Sequence, residues 1–187
     1  RGVVDAVNVN GLINGVLFAN GTSTDPSGDP MACEFVKTLW TFATLLKERG
    51  FERVGTLGSY CYRCCCAWSA TNYCRGPNDP EPDCSANGYS NHSWGRAVDV
   101  RYLYKTNGDI YDINSNDDFA MFTSQDTCGA GLAAQTGVSA ELYSLACEAS
   151  SREIFGTILT PNHNDAHRNH FHMDIGKSGT PSSYIVE

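Results

Sequence analysis

The chain has 187 residues, enough for one domain with a real hydrophobic core. Its 41% hydrophobic and 18% charged residues exclude a disordered chain and a coiled coil. The formal net charge of -8, with no Lys/Arg-rich run to face phosphates, argues against nucleic acid as a partner, and no apolar run is long enough to span a bilayer.

The sequence starts at Arg1 with no visible signal peptide, which reads as a mature or trimmed form. Residues 1–30 are rich in Gly, Asn, Asp and Ser and read as loop, with one strand in the apolar stretch at 12–18. Pro30 opens a helical pattern. Phe35, Leu39, Phe42 and Leu46 share one face, Lys47 and Arg49 suit the C-terminal end of the dipole, and Gly50 closes the helix. Residues 58–91 hold six cysteines among Gly, Pro, Asn and Asp and read as a stapled loop within the same domain.

Residues 97–104 are β-rich. Asn107-Gly108 then separates them from Asp109–Ile113, the pattern of a hairpin. Residues 139–152 predict a second helix, with Ser139 as N-cap and Leu142, Leu145, Ala146 and Ala149 on one face. Residues 170–175 alternate as a strand. These elements predict an α+β fold, with helices packed on a small, mostly antiparallel sheet and a disulfide-rich loop inserted.

The nine cysteines are Cys33, Cys61, Cys64, Cys65, Cys66, Cys74, Cys84, Cys128 and Cys147. That density predicts an oxidising location: secreted, periplasmic or cell-surface. Cys61 and Cys64 form half of a zinc-ribbon pattern, but no second CxxC follows, so disulfides are the better reading. An odd count leaves at least one thiol free or bonded to another chain, and spacing does not give the connectivity.

Four of the five histidines, His163, His167, His170 and His172, lie within ten residues. On a strand, His170 and His172 share a face while Phe171 and Met173 point to the core. Asp99 lies between Val98 and Val100 and so faces away from the core. His92 precedes Asp99 by seven residues, roughly 23 Å if extended, so the chain must double back, and Gly95 permits the turn. His92, Asp99 and His172 can then converge. Two histidines and a carboxylate with an open fourth position form a catalytic zinc arrangement, and His167 and His170 are spare histidines beside it. The competing reading makes the HxH pair exposed decoration and Asp99 an ion-pair partner of Arg96 or Arg101. His163, in a Pro-Asn-His-Asn-Asp loop, reads as solvated.

The block Ser90-Asn-His92-Ser-Trp-Gly-Arg-Ala-Val-Asp99 resembles the SxHxxGxAxD motif of zinc peptidases. That group takes in D-Ala-D-Ala carboxypeptidases, penicillin-insensitive murein endopeptidases and the hedgehog signalling fold. The nearest resemblance is to the extensin-like C-terminal domain family. It rests on that block, on Gly58-Ser-Tyr-Cys-Tyr-Arg63, and on Phe155–Asn162 running into His167-Arg-Asn-His170-Phe-His172-Met-Asp174.

The resemblance implies one Zn2+ held by His92, Asp99 and His172, with His170 assisting catalysis. Many relatives carry a catalytic Glu before the last ligand, but here no Glu lies between Pro161 and His172. The murein-endopeptidase branch has a His-x-x-His-x-His run instead, and His167 takes the base position by that likeness. Arg63 falls where relatives hold a substrate carboxylate. The implied function is a zinc peptidase acting on peptidoglycan stem peptides or cross-links. The alternatives are a zinc-containing binding module, as in the hedgehog branch, and a disulfide-rich wall domain without metal.

Overall fold

The computed structural model describes residues 3, 5–61, 84, 88–114, 117–122, 126–176, 178–179 and 185–186. Most of the cysteine-rich stretch, with Arg63, Cys64, Cys65, Cys66 and Cys74, lies outside the described residues.

The first thirty residues hold more strand than their composition suggests: β1 (Ala6–Asn8), β2 (Leu12–Ile13) and β3 (Val16–Asn20). Between β2 and β3, Asn14 and Gly15 both adopt positive φ, 48° and 82°, and their twist matches a tight hairpin. Pro30 does not start the helix. Pro30–Ala32 is a short strand, β4, that pairs with β1, and helix α1 runs Cys33–Glu48. Its buried face carries the expected Phe35, Leu39, Phe42 and Leu46, joined by Ala43 and Leu45.

Strand β5 (Phe51–Gly58) follows directly after Gly50. β6 (Ala97–Lys105) and β7 (Ile110–Asp112) form the expected hairpin. Helix α2 runs Gly137–Ser151 and buries the expected face, with Tyr143 added. Thr136, not Ser139, is its N-cap residue. The Ser139 hydroxyl instead accepts the Ala120 N–H at 3.0 Å and bonds Gln135 Oε1 at 3.0 Å, so it ties the helix to the preceding segment. β8 (Thr157–Leu159), β9 (Phe171–Asp174) and β10 (Ile185–Val186) complete the strands among the described residues.

The main sheet has eight strands in the order β10-β8-β9-β6-β5-β3-β2, with β7 also on β6. It is mixed: β3–β5 and β8–β10 are parallel and the other pairs antiparallel. It is larger than expected because β5, β8 and β10 add to it and the stretch read as one strand holds two, β2 and β3. β6 is long enough to pair β5 along one edge and to share the other between β9 at its start and β7 at its end.

Both helices pack on one face. Phe155 meets Phe35 and Phe42 of α1, and Phe119 stacks on Tyr143 of α2 while meeting Phe171 edge-on. Val98, Val100, Phe171 and Met173 belong to the same buried core. The residues between them on β6 and β9 therefore point the other way. The disulfide Cys128–Cys147 fastens α2 to the turn before it. Cys61 and Cys84 are also disulfide-bonded, which removes the zinc-ribbon reading of Cys61, while Cys33 is free.

Candidate metal centre

Asp99 and His172 reach the open face by strand periodicity, each flanked by core residues. The β6–β9 register pairs them directly, and Asp99 Oδ1 lies 3.0 Å from His172 Nδ1. His92 arrives by another route. It sits in a 3-10 turn, Asn91–Trp94, whose N-cap Ser90 accepts the His92 N–H at 3.4 Å. Gly95 closes the turn in the left-handed region, φ 62°, and donates its N–H to the His92 carbonyl. A Cβ at Gly95 would stand 3.0 Å from the Ala32 nitrogen, so close approach and backbone conformation both demand glycine there.

This reversal brings His92 Nε2 to 3.2 Å from Asp99 Oδ1 and 3.1 Å from His172 Nδ1. The three donor atoms form a group that could hold a metal ion. Donors bound at zinc distances around a tetrahedral ion lie roughly 3.3–3.4 Å apart, close to the spacing found. The donor types fit as well: two imidazole nitrogens and one carboxylate oxygen.

The competing partners of Asp99 are engaged elsewhere. Arg96 pairs with Glu34 at 2.6 Å, and Arg101 makes a two-pronged contact with Asp112 at 2.9 and 3.1 Å. Burial would raise the Asp99 pKa, but His92 and His172 outweigh it and hold the carboxyl well below its ordinary value. Burial would lower that of His172, but hydrogen bonds and charge from Asp174 and Asp99 raise it to about 9. The second nitrogen of His172, Nε2, faces Asp174 Oδ2 at 3.0 Å.

The remaining histidines line one side. His170, just before β9, is buried; its Nδ1 bonds Asn169 Oδ1 at 2.9 Å and its Nε2 lies 3.4 Å from Asp99 Oδ1. Burial lowers its pKa against the pull of Asp99. His167 ends a short 3-10 turn, Asp165–His167, whose N-cap Asn164 accepts the Ala166 N–H at 3.0 Å and bonds His167 Nδ1 at 2.8 Å. Nδ1 therefore carries the proton and Nε2 the lone pair. Burial, with the neighbouring His170, His172 and His163, pushes the His167 pKa down to about 4. Its ring lies 5.2 Å from that of His170 and 5.9 Å from that of His172.

His163 joins the edge of this cluster, its ring 5.3 Å from that of His167. Sequence reasoning set it apart as loop. It also passed over Asp174, whose place two residues after His172 on the same strand is a readable signal. Arg63 lies outside the described residues.

Fold and site together define an α+β protein with two histidines and one carboxylate, a group that could hold a metal ion, on the open face of a mixed sheet. The chain belongs to the extensin-like protein C-terminus family, whose model matches residues 30–183. No curated protein and no solved structure matches the chain.

Proposed function

We propose that this chain is a zinc-dependent peptidase that hydrolyses peptide bonds in peptidoglycan stem peptides or cross-links, as a carboxypeptidase or endopeptidase. The observation that carries the hydrolase reading is the convergence of His92 Nε2, Asp99 Oδ1 and His172 Nδ1 within 3.0–3.2 Å, with His167 and His170 beside them. The substrate class rests on the resemblance of the His92–Asp99 and His167–His172 blocks to murein peptidases.

Zinc bound there supplies Lewis acidity, lowering the pKa of a water towards about 7 and polarising a carbonyl oxygen. His167 takes a proton at Nε2, the nitrogen left open by its Nδ1 bond to Asn164. Its depressed pKa keeps it neutral at pH 7, as a base must be. His170 donates from Nε2 to a substrate oxygen as negative charge develops there, with the Asn169 amide turned so that its NH2 donates to His170 Nδ1. Asp99 and His172 come from paired strands, so their spacing is set before substrate arrives.

A second reading, a zinc-containing binding module without turnover, is favoured by Asn169 where many relatives carry a Glu base. One experiment separates the two. Purified protein is assayed for zinc content and for release of peptides from peptidoglycan and from a soluble stem peptide. Stoichiometric zinc with no product from either substrate rejects the peptidase. Absence of zinc rejects both readings.

A further inference from the structure

Asp174 closes β9 two residues after His172, so strand periodicity puts both side chains on one face. It is 5% exposed, yet it stands outside the three-donor cluster. A buried carboxylate is costly unless its oxygens are bonded. Here both are: Oδ2 faces His172 Nε2 at 3.0 Å, and Oδ1 accepts the Gly176 N–H at 2.7 Å. The Asn91 side chain bonds the same carboxylate. Asn91 begins the turn that carries His92. One buried group therefore touches one ligand directly and the neighbour of a second.

An ionised carboxylate only accepts hydrogen bonds, so Nε2 of His172 must carry a proton. In the neutral ring the lone pair is then on Nδ1, the nitrogen that faces His92 Nε2 and Asp99 Oδ1. The opposite tautomer would aim a lone pair at Asp174 and block Nδ1 with hydrogen.

We propose that Asp174 is a positioning residue for the metal centre: it holds His172 as the tautomer that offers Nδ1, and through Asn91 it fixes the turn that presents His92. This rests on the reading of His92, Asp99 and His172 as zinc ligands. Outer partners of metal-bound histidine are worth roughly 10–100-fold in metal affinity.

The test measures zinc affinity of the full chain by competition with a chromogenic chelator, for wild type, Asp174→Ala and Asp174→Asn. Two-bond 1H–15N spectra of zinc-loaded samples report which His172 nitrogen bears the proton. Asp174→Ala is expected to bind zinc roughly 10–100-fold more weakly and to lose the pattern of proton on Nε2 and metal on Nδ1. Loss of stability alone would leave that pattern unchanged. Wild-type affinity and pattern in Asp174→Ala overturn the proposal and leave the ligands standing. No zinc bound by the wild type overturns the metal reading instead, and the proposal with it. Should Asp174→Ala fail to fold, the near-isosteric Asp174→Asn decides. Its neutral amide oxygen accepts a weaker bond than a carboxylate, so its affinity falls several-fold, and unchanged affinity refutes the role.

Discussion

The Asp99 carboxylate and the His172 imidazole meet across neighbouring strands, 3.0 Å apart, because the β6–β9 register pairs their backbones directly. A slip of one residue would send one of the two into the core and a valine or aromatic to the open face. The register itself is pinned by Val98, Val100, Phe171 and Met173 on the far side. The spacing of this pair thus depends on core packing that never touches it.

Substitution of a ligand should remove the metal. His172→Ala is expected to weaken zinc binding by more than the roughly 10–100-fold typical of losing an outer partner. Metal analysis after dialysis against a chelator checks this. A full equivalent of zinc retained by the variant would sink the ligand assignment.

The proton on His172 sets a pH dependence. Asp174 and Asp99 overcome burial and raise its pKa from 6.5 to about 9, so the metal-free protein is protonated there at neutral pH. Zinc must displace that proton. Affinity should rise with pH by roughly tenfold per unit until about pH 9. The sign for the metal-free fold is opposite: the pair stabilises it fully below about pH 6.5 and loses that contribution as pH rises through about 9. Calorimetry at pH 7.5 in buffers of differing ionisation enthalpy should find about one proton released per zinc from this site. Binding without proton release would refute it.

His167 and His170 should separate catalysis from metal retention. His167→Ala is expected to keep fold and zinc and to lose turnover by roughly 10²–10⁴-fold as the general base. His170→Ala should also keep zinc while losing turnover. Zinc content and peptidoglycan hydrolysis are measured on the same samples. Full activity in both variants removes them from the mechanism, and loss of zinc in both makes them ligands.

Gly95→Ala tests the turn that returns His92 to Asp99. Its left-handed φ of 62° and the 3.0 Å approach of Ala32 both oppose a side chain. The variant should lose about 1–2 kcal/mol of stability from the backbone conformation alone. Zinc affinity should fall with it, since the turn carries a ligand. Denaturant unfolding with and without zinc reads both quantities, and unchanged values in each would show that the turn tolerates a side chain.

Thiol chemistry is the last check. Cys61, Cys84, Cys128 and Cys147 are bonded and Cys33 is free. With at least three disulfides expected, denatured, unreduced protein should show no more than three of its nine cysteines reactive, Cys33 among them. Replacing Cys128 and Cys147 together should cost about 3 kcal/mol, from the freed 19-residue loop. Four or more reactive thiols would contradict the disulfide count.

The site was more legible than the sheet. Asp99 and His172 sit in short stretches where polar and apolar residues alternate cleanly, so their faces follow from period two. β5 gave no such signal. Its register against β6 shifts between Gly55 and Thr56 and again between Thr56 and Gly58, and those irregularities break the alternation that marks a strand. Gly55 reads as a breaker, yet a Cβ there would lie 2.1 Å from the Gly21 carbonyl, so the strand needs its glycine to approach its neighbour. Asn14-Gly15 carries the same hairpin signal as Asn107-Gly108, hidden in a stretch rich in loop-forming residues. Ser139 failed as a cap because its hydroxyl had a tertiary partner, which no local pattern encodes. His163 was set apart because proximity in a folded loop is not visible in spacing.

Neither strand that carries Asp99 or His172 is an edge. β6 lies between β5 and β9, and β9 between β6 and β8, while β2 and β10 hold the outer positions. Thermal opening of a sheet begins at its margins and reaches the middle last. In deuterated solvent the backbone amides of β10 and β2 should exchange early. Those of β6 and β9 beside Asp99 and His172 should wait for cooperative unfolding, so the two side chains stay in register through the breathing that the rest of the sheet permits.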